Sequence, residues 1–135
     1  MVRPIAIAGR PLYAVFLPIP IVCFVGTVVT DLTYRSSDGN LLWLNFSTWL
    51  VAAGLLFGAI ALLLMLIDGL RGVGWAALLV LLCTWIVELF NSLIHARDGW
   101  TAVVPTGLIL SVVGAVLALL AGWLSHSARV EVGRR

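Results

Sequence analysis

The chain has 135 residues, of which 62% are hydrophobic and only 10% charged, with a formal net charge of +2 and a mean hydropathy of +1.15. Soluble domains carry about 25% charged residues, so a water-soluble fold is not expected, and the length suits one domain made almost wholly of membrane spans. The basic residues are eight arginines and no lysine, too few and too dispersed for nucleic-acid binding.

Arg3 and Arg10 precede the first apolar stretch in the manner of a secretory signal, but no small-x-small cleavage site follows, so the segment is expected to stay as a span. Span 1 is expected over about 12–30. It carries Pro18 and Pro20, which remove two backbone donors and predict a bend or loosening of that half of the helix. A polar connection follows over 31–40, ending in the turn sequence Ser36-Ser37-Asp38-Gly39-Asn40. Span 2 is expected over about 41–67, span 3 over about 75–94 and span 4 over about 103–124, each near or above the roughly 20 residues needed to cross the hydrocarbon layer. The links between them are short and rich in glycine or Asp-Gly. Short links force neighbouring helices to run antiparallel, which predicts an all-α membrane protein folded as an antiparallel four-transmembrane-helix bundle. Continuous apolar runs, rather than alternating ones, exclude a β-barrel.

Arginine placement sets the expected orientation. Arg3, Arg10, Arg71, Arg129, Arg134 and Arg135 fall on one side of the four spans, and Arg35 and Arg97 on the other. Basic residues concentrate in cytoplasmic segments, so a bacterial inner-membrane protein with both termini in the cytoplasm is expected. Trp43, Trp75, Trp100 and Trp123 lie at expected interfaces, whereas Trp49 and Trp85 lie deeper.

Span 3 carries the clearest chemistry. Thr84, Glu88, Asn91 and His95 recur at spacings of four, three and four, which lays them along one helix face. A carboxyl group this far inside a span costs roughly 2.5–3.5 kcal/mol against lipid, so Glu88 is expected to face protein or water and to bond a group on another helix. At similar depth the topology places Asp31 at the end of span 1 and Asn45, Ser47 and Thr48 at the start of span 2. The candidate polar site is therefore Asp31, Asn45, Thr48, Glu88, Asn91 and His95. It forms either a partly hydrated pocket opening outward or a set of hydrogen bonds that fixes helix register. On the cytoplasmic side, Asp68 with Arg10 and Arg71 is expected to form an ion pair anchoring a loop. Small residues form two packing stripes, Gly54 and Gly58 with Ala61 on span 2, and Gly107, Ser111, Gly114, Ala118 and Gly122 on span 4. Such stripes allow close helix approach, within the chain or to a second one.

Other chemistry has no counterpart in the sequence. His95 and His126 are expected at opposite ends of the bundle and so cannot be paired axial ligands of one haem. No metal-ligand cluster, nucleotide loop or nucleophile-base motif is recognisable. Cys23 and Cys83 lie in apolar runs and read as structural. No catalysis and no cofactor are expected.

The stretches Gly9-Arg10-Pro11-Leu12-Tyr13, Leu17-Pro18-Ile19-Pro20-Ile21 and Thr30-Asp31-Leu32-Thr33-Tyr34 resemble a family of uncharacterised bacterial four-span membrane proteins, known only as a domain of unknown function. The matches continue with Leu66-Ile67-Asp68-Gly69-Leu70, Leu89-Phe90-Asn91-Ser92-Leu93 and Gly122-Trp123-Leu124, across almost the whole chain. Members of that family carry a Gly-His-Pro-Leu-His-Pro-like pattern near the start that would suit a haem or metal. Arg10 and Tyr13 stand at those positions here. Relatives beside or fused to quinoprotein sugar dehydrogenases imply, by resemblance, a periplasmic redox enzyme as partner.

Together these features predict a small non-catalytic membrane subunit, seated in the lipid bilayer, that anchors or completes a larger assembly through a membrane-protein partner or a homo-oligomer. The alternatives are a redox or ligand-binding subunit whose outer pocket holds a quinone, lipid or haem, and a small oligomeric transporter. The orientation has a direct check. Single cysteines placed at Ser37 and at Ser127 are expected to differ in labelling by a membrane-impermeant thiol reagent in intact cells, the first reacting and the second protected. Equal labelling at both would overturn the topology.

Overall fold

The computed structural model describes residues 6–7, 10–70, 74–97 and 103–133. A two-residue antiparallel pair, β1 (Ala6–Ile7) with β2 (Arg10–Pro11), leads into four helical spans. The first span is α1 (Tyr13–Phe16) continued by α2 (Pro18–Ser36), and the second is α3 (Leu41–Gly69). The third is α4 (Trp75–His95), and the fourth opens with a kinked segment, Val103–Gly107, in which Val104 is extended (φ −118°, ψ 121°), and runs on as α5 (Leu108–Gly133). All four are long and apolar enough to cross a membrane. Each packs against two neighbours, α2 against α3 and α5, and α4 against α3 and α5, closing a four-helix bundle.

The first span is interrupted at Leu17, next to the proline pair expected to loosen it, and differs from expectation at its far end. Leu17 nonetheless keeps right-handed helical dihedrals, φ −57° and ψ −37°, and its N–H donates to the Tyr13 carbonyl at 2.8 Å. The helix path therefore continues through the proline pair, and what Pro18 removes is a backbone donor. At the far end the helix does not stop near Thr30 but continues to Ser36, so Asp31 lies within it and the connection shrinks to residues 37–40. Nothing before Asp38 and Gly39 breaks the helix, and these two take left-handed dihedrals, φ 53° and 78°. Thr33 and Ser37 meanwhile donate to carbonyls one turn back, at 2.8 and 2.7 Å. Asn40 then caps α3 by accepting from the Leu42 N–H at 3.0 Å.

Helix packing uses the small-residue stripes within the chain. Gly54 lies under the Phe24 ring, where a Cβ would come 2.8 Å from Cδ1. Gly58 faces Trp85 and Pro20, and Gly122 faces Ile21. Trp85, at a depth that its ring alone does not explain, donates from Nε1 to the Leu55 carbonyl at 2.9 Å, a bond between α4 and α3 inside the span. Trp49 instead points out of the bundle, 70% exposed.

The interior divides along its length. Toward the chain termini the core is an apolar cluster of Tyr13, Leu17, Ala61, Met65, Leu78, Leu81 and their neighbours, with Asp68 and Ser125 as buried polar residues of the same half. Toward the α2–α3 loop it is polar: Thr27, Asp31, Ser47, Thr84, Glu88, Asn91 and Ser111 are all fully buried. Gly114 lies against this half, and a Cβ there would collide with Glu88 Oε1 and sit 2.6 Å from its Cδ. Replacing Gly114 by Leu is thus expected to cost at least the 1–3 kcal/mol typical of overpacking. Val113→Leu, on the exposed neighbouring face, is expected to stay within about 0.5 kcal/mol of wild type. Thermal denaturation in one detergent compares the two, and indistinguishable curves would contradict the close contact.

Candidate functional site

The polar half centres on the Asp31 carboxylate. Its Oδ1 accepts from Ser47 Oγ at 2.5 Å and meets His95 Nε2 at 2.9 Å. Its Oδ2 accepts from Ser111 Oγ at 2.6 Å. One side chain on α2 thereby contacts α3, α4 and α5. The contact with His95 crosses the bundle diagonally. Behind these, Thr30 Oγ1 lies 2.6 Å from Ser47 Oγ and 3.0 Å from the Thr27 carbonyl oxygen of its own helix.

His95 fixes the proton count. Its Nδ1 lies 3.0 Å from the Asn91 carbonyl oxygen, which can only accept, so Nδ1 carries a hydrogen. The 2.9 Å line between Nε2 and Asp31 Oδ1 then needs one proton, whether it resides on the imidazole or on the carboxyl. With none, two lone pairs would face each other; with two, two hydrogens would. The contact therefore implies a single shared proton.

From this pair the network continues inward. Asn91 Nδ2 donates to Ser111 Oγ at 2.9 Å and to Glu88 Oε2 at 3.0 Å. Glu88 Oε1 and Asn91 Oδ1 are buried without a hydrogen-bond partner among the described residues. Seven residues of α4 separate His95 from Glu88, a descent of about 10 Å at the helical rise. At the rim the site is shut, with His95 only 4% exposed and Gly107 laid against its ring, 3.3 Å from an ideal Cβ to Cε1.

Of the six residues expected to form the site, the structure joins Asp31, Glu88, Asn91 and His95. It does not join the other two. Asn45 is exposed, and the Thr48 hydroxyl donates to the Leu44 carbonyl of its own helix at 3.0 Å. Helical rotation is the reason, since Ser47 is the residue of that turn pointing inward, a heptad ahead of Gly54 on the same face. Ser111, expected as a packing residue, is a member of the network. Both serines continue small-residue stripes, and that continuation was the available signal.

Two further expectations change. Glu88 does face the interior, but the hydrogen bond it accepts comes from Asn91 on its own helix. The expected outward pocket is absent among the described residues, since the network is closed off, and the nearby surface groove along Val29, Leu32, Thr33, Arg35 and Ser36 lies on the outside of α2. At the other end of the bundle Asp68 is buried and Arg10 exposed. Arg71, their expected companion, lies outside the described residues. Gly54, Gly58, Gly107, Gly114 and Ala118 are buried and Gly122 partly so, within the bundle as packing positions.

The arrangement constrains its chemistry. Ser47 and Ser111 both donate to the carboxylate and neither bonds the imidazole, so no serine is activated by a histidine base. Ligation of a haem or metal through His95 Nε2 would require breaking its contact with Asp31. What the geometry does offer is a lipid-shielded set of groups able to hold and share protons.

A family model described as "Predicted membrane protein (DUF2231)" matches residues 9–133. No curated protein and no solved structure matches the chain.

Loss of the Asp31 carboxylate removes three interhelical contacts, and such bonds contribute about 0.6–1.7 kcal/mol each in bilayers. Asp31→Ala is thus expected to destabilise the bundle by about 2–5 kcal/mol, since it also strands the imidazole. Asp31→Asn keeps an oxygen able to accept from a serine hydroxyl and gains an amide N–H able to donate to His95 Nε2, and is expected to lose less. Reversible unfolding in mixed micelles measures both, and equal, negligible losses would show that the network does not hold the helices.

Proposed function

This chain belongs to the family of predicted membrane proteins called DUF2231, and from that premise we propose that it is a small, non-catalytic subunit that anchors or completes a larger assembly in the bacterial inner membrane. In this reading both termini face the cytoplasm and the α2–α3 loop faces the periplasm. The observation that carries it is the closure of the polar network. The groups with chemical potential are buried among the four helices, while the outer surface presents residues such as Trp49, Leu56, Leu63, Leu119 and Trp123. Lipid tails are as apolar as these side chains, so such a surface suits both bilayer and protein neighbours. Contact with other molecules then takes place over the outside of the bundle, as in a subunit, rather than in a substrate pocket.

The family resemblance adds the class of partner, a periplasmic redox enzyme. A partner of that kind would meet the loop end, where Arg35 and Arg97 are exposed.

Chemical-level expression of a tagged chain, cross-linking in the membrane and extraction in mild detergent test this reading. A protein recovered in stoichiometric ratio, identified by mass spectrometry and lost when the loop-end arginines are replaced by glutamate, is the expected result. Recovery of the chain as a monomer without any partner would overturn the assembly role. A Soret absorbance in the purified chain would instead favour the redox alternative, and ligation by His95 Nε2 in particular would require that nitrogen to leave Asp31.

A further inference from the structure

The network contains more acceptors than it uses, and they are not placed at random. Asp31 has both oxygens engaged, and its line to His95 already holds its one proton. Adding a second proton to that line would break the 2.9 Å contact. At the inner end, Glu88 has Oε2 on Asn91 and Oε1 free, fully buried. Glu88 Oε1 is thus the carboxyl oxygen of the network able to take a proton without losing a hydrogen bond. One O–H bond would form there, and none of the contacts around it would be broken.

We propose that Glu88 is an exchangeable proton-binding site at the inner end of the polar network, filled from the loop end of the bundle by way of the Asp31–His95 pair. This goes beyond the assembly role and does not depend on there being a partner. Two observations set the direction of entry. Toward the loop end the polar groups run almost to the surface, ending at His95 on the last turn of α4. Toward the termini, Leu81, Ala121, Leu78 and Met65 place a layer of apolar side chains between the network and the buried Asp68 and Ser125 beyond it. The proposed entry is therefore from the loop end, where His95, itself buried, is the last polar group of the network.

The surroundings of Glu88 are defined from every helix. Among the described residues, α2 brings Asp31 as a titratable group and α4 itself brings His95. The α5 helix brings Ser111 and Gly114, neither of which titrates in this range, and Ser47 of α3 is bonded to Asp31. Gly114 leaves the space that the Glu88 carboxyl fills. Asn91 stands between the two carboxyl groups, bonded to Glu88 directly and to Asp31 through Ser111. An amide N–H donates but does not pass protons on, so Asn91 acts as a positioning residue and a barrier, and exchange at Glu88 has to wait for its side chain to swing aside.

The chain has two glutamates, Glu88 and Glu131, and the second is exposed, so the native chain gives two glutamate carboxyl signals to compare. Protein labelled with carbon-13 at the glutamate carboxyl is placed in sealed lipid vesicles and followed by solid-state NMR as pH is varied. Glu131 provides the signal of an open carboxyl, and Glu88→Gln removes and so assigns the other. The expected result is a Glu88 signal that shifts between its protonated and ionised positions while the helices remain folded, and exchanges more slowly than Glu131. A signal fixed at one position over the whole pH range in which circular dichroism reports a folded bundle would overturn the proposal and leave Glu88 a static packing group. Setting different pH inside and outside vesicles of known protein orientation, scored by labelling a cysteine at Ser37, tests the side of entry. Glu88 is expected to follow the pH on the loop side, and a response to the terminal side would refute entry through the Asp31–His95 pair.

Discussion

The carboxylate of Asp31 is the point on which the bundle is organised. Three other helices each send it one polar group: Ser47 from α3, His95 from α4 and Ser111 from α5. In lipid there is no hydrophobic gain from pressing one apolar helix against another, so packing, hydrogen bonds and lipid entropy must choose the partners. Apolar side chains tolerate many rotations and offsets at similar energy. A carboxylate with three donors does not, because a shift of one residue on any helix turns its donor away. The network therefore specifies register more than it adds stability.

Close approach is the condition for that chemistry. Contacts of 2.5–2.9 Å from one central side chain to three helices need backbones nearer than leucine faces allow, and the glycine and serine stripes supply the space. Gly107 lets the fourth span lie on the His95 ring, and Gly114 leaves room for the Glu88 carboxyl. The same residues that looked like a general packing device are thus cut to particular side chains. Serine serves both ends at once at positions 47 and 111, being small enough for the stripe and polar enough for the carboxylate.

Much of this architecture was legible in the sequence because lipid imposes long apolar runs, and the face formed by Thr84, Glu88, Asn91 and His95 follows from helical periodicity alone. The four spans, their order and the inward direction of Glu88 come from those two facts. Helix rotation at the start of α3 was not legible. Asn45, Ser47 and Thr48 are all polar and lie within one turn, and which of them points inward depends on the face that Gly54 and Gly58 present to Phe24 and Trp85. The extent of α2 was hidden for a related reason. Polar residues over 31–36 look like a loop, yet threonine and serine hydroxyls that bond back to their own helix make them compatible with another turn and a half. Closure of the site could not be read either, since burial of His95 depends on how the turn before α5 folds over it.

The sequence separations within the network show why the two halves of the chain need each other. Ser47 and Asn91 meet partners 16 and 20 residues away, inside the α2–α3 pair and the α4–α5 pair. The contacts of Asp31 with His95 and Ser111 span 64 and 80 residues and join one pair to the other. An α2–α3 hairpin alone would leave Asp31 with Ser47 as one partner of its three, and an α4–α5 hairpin alone would leave His95 Nε2 and the Ser111 hydroxyl without their carboxylate. Each state carries the penalty of exposing ionisable groups to lipid, which neither hairpin can relieve within itself. Docking removes the penalty from both at once. The polar end of the bundle accordingly acts as a lock between two hairpins, while the apolar end, with Tyr13, Met65 and Leu81 in contact, fills space without dictating the match.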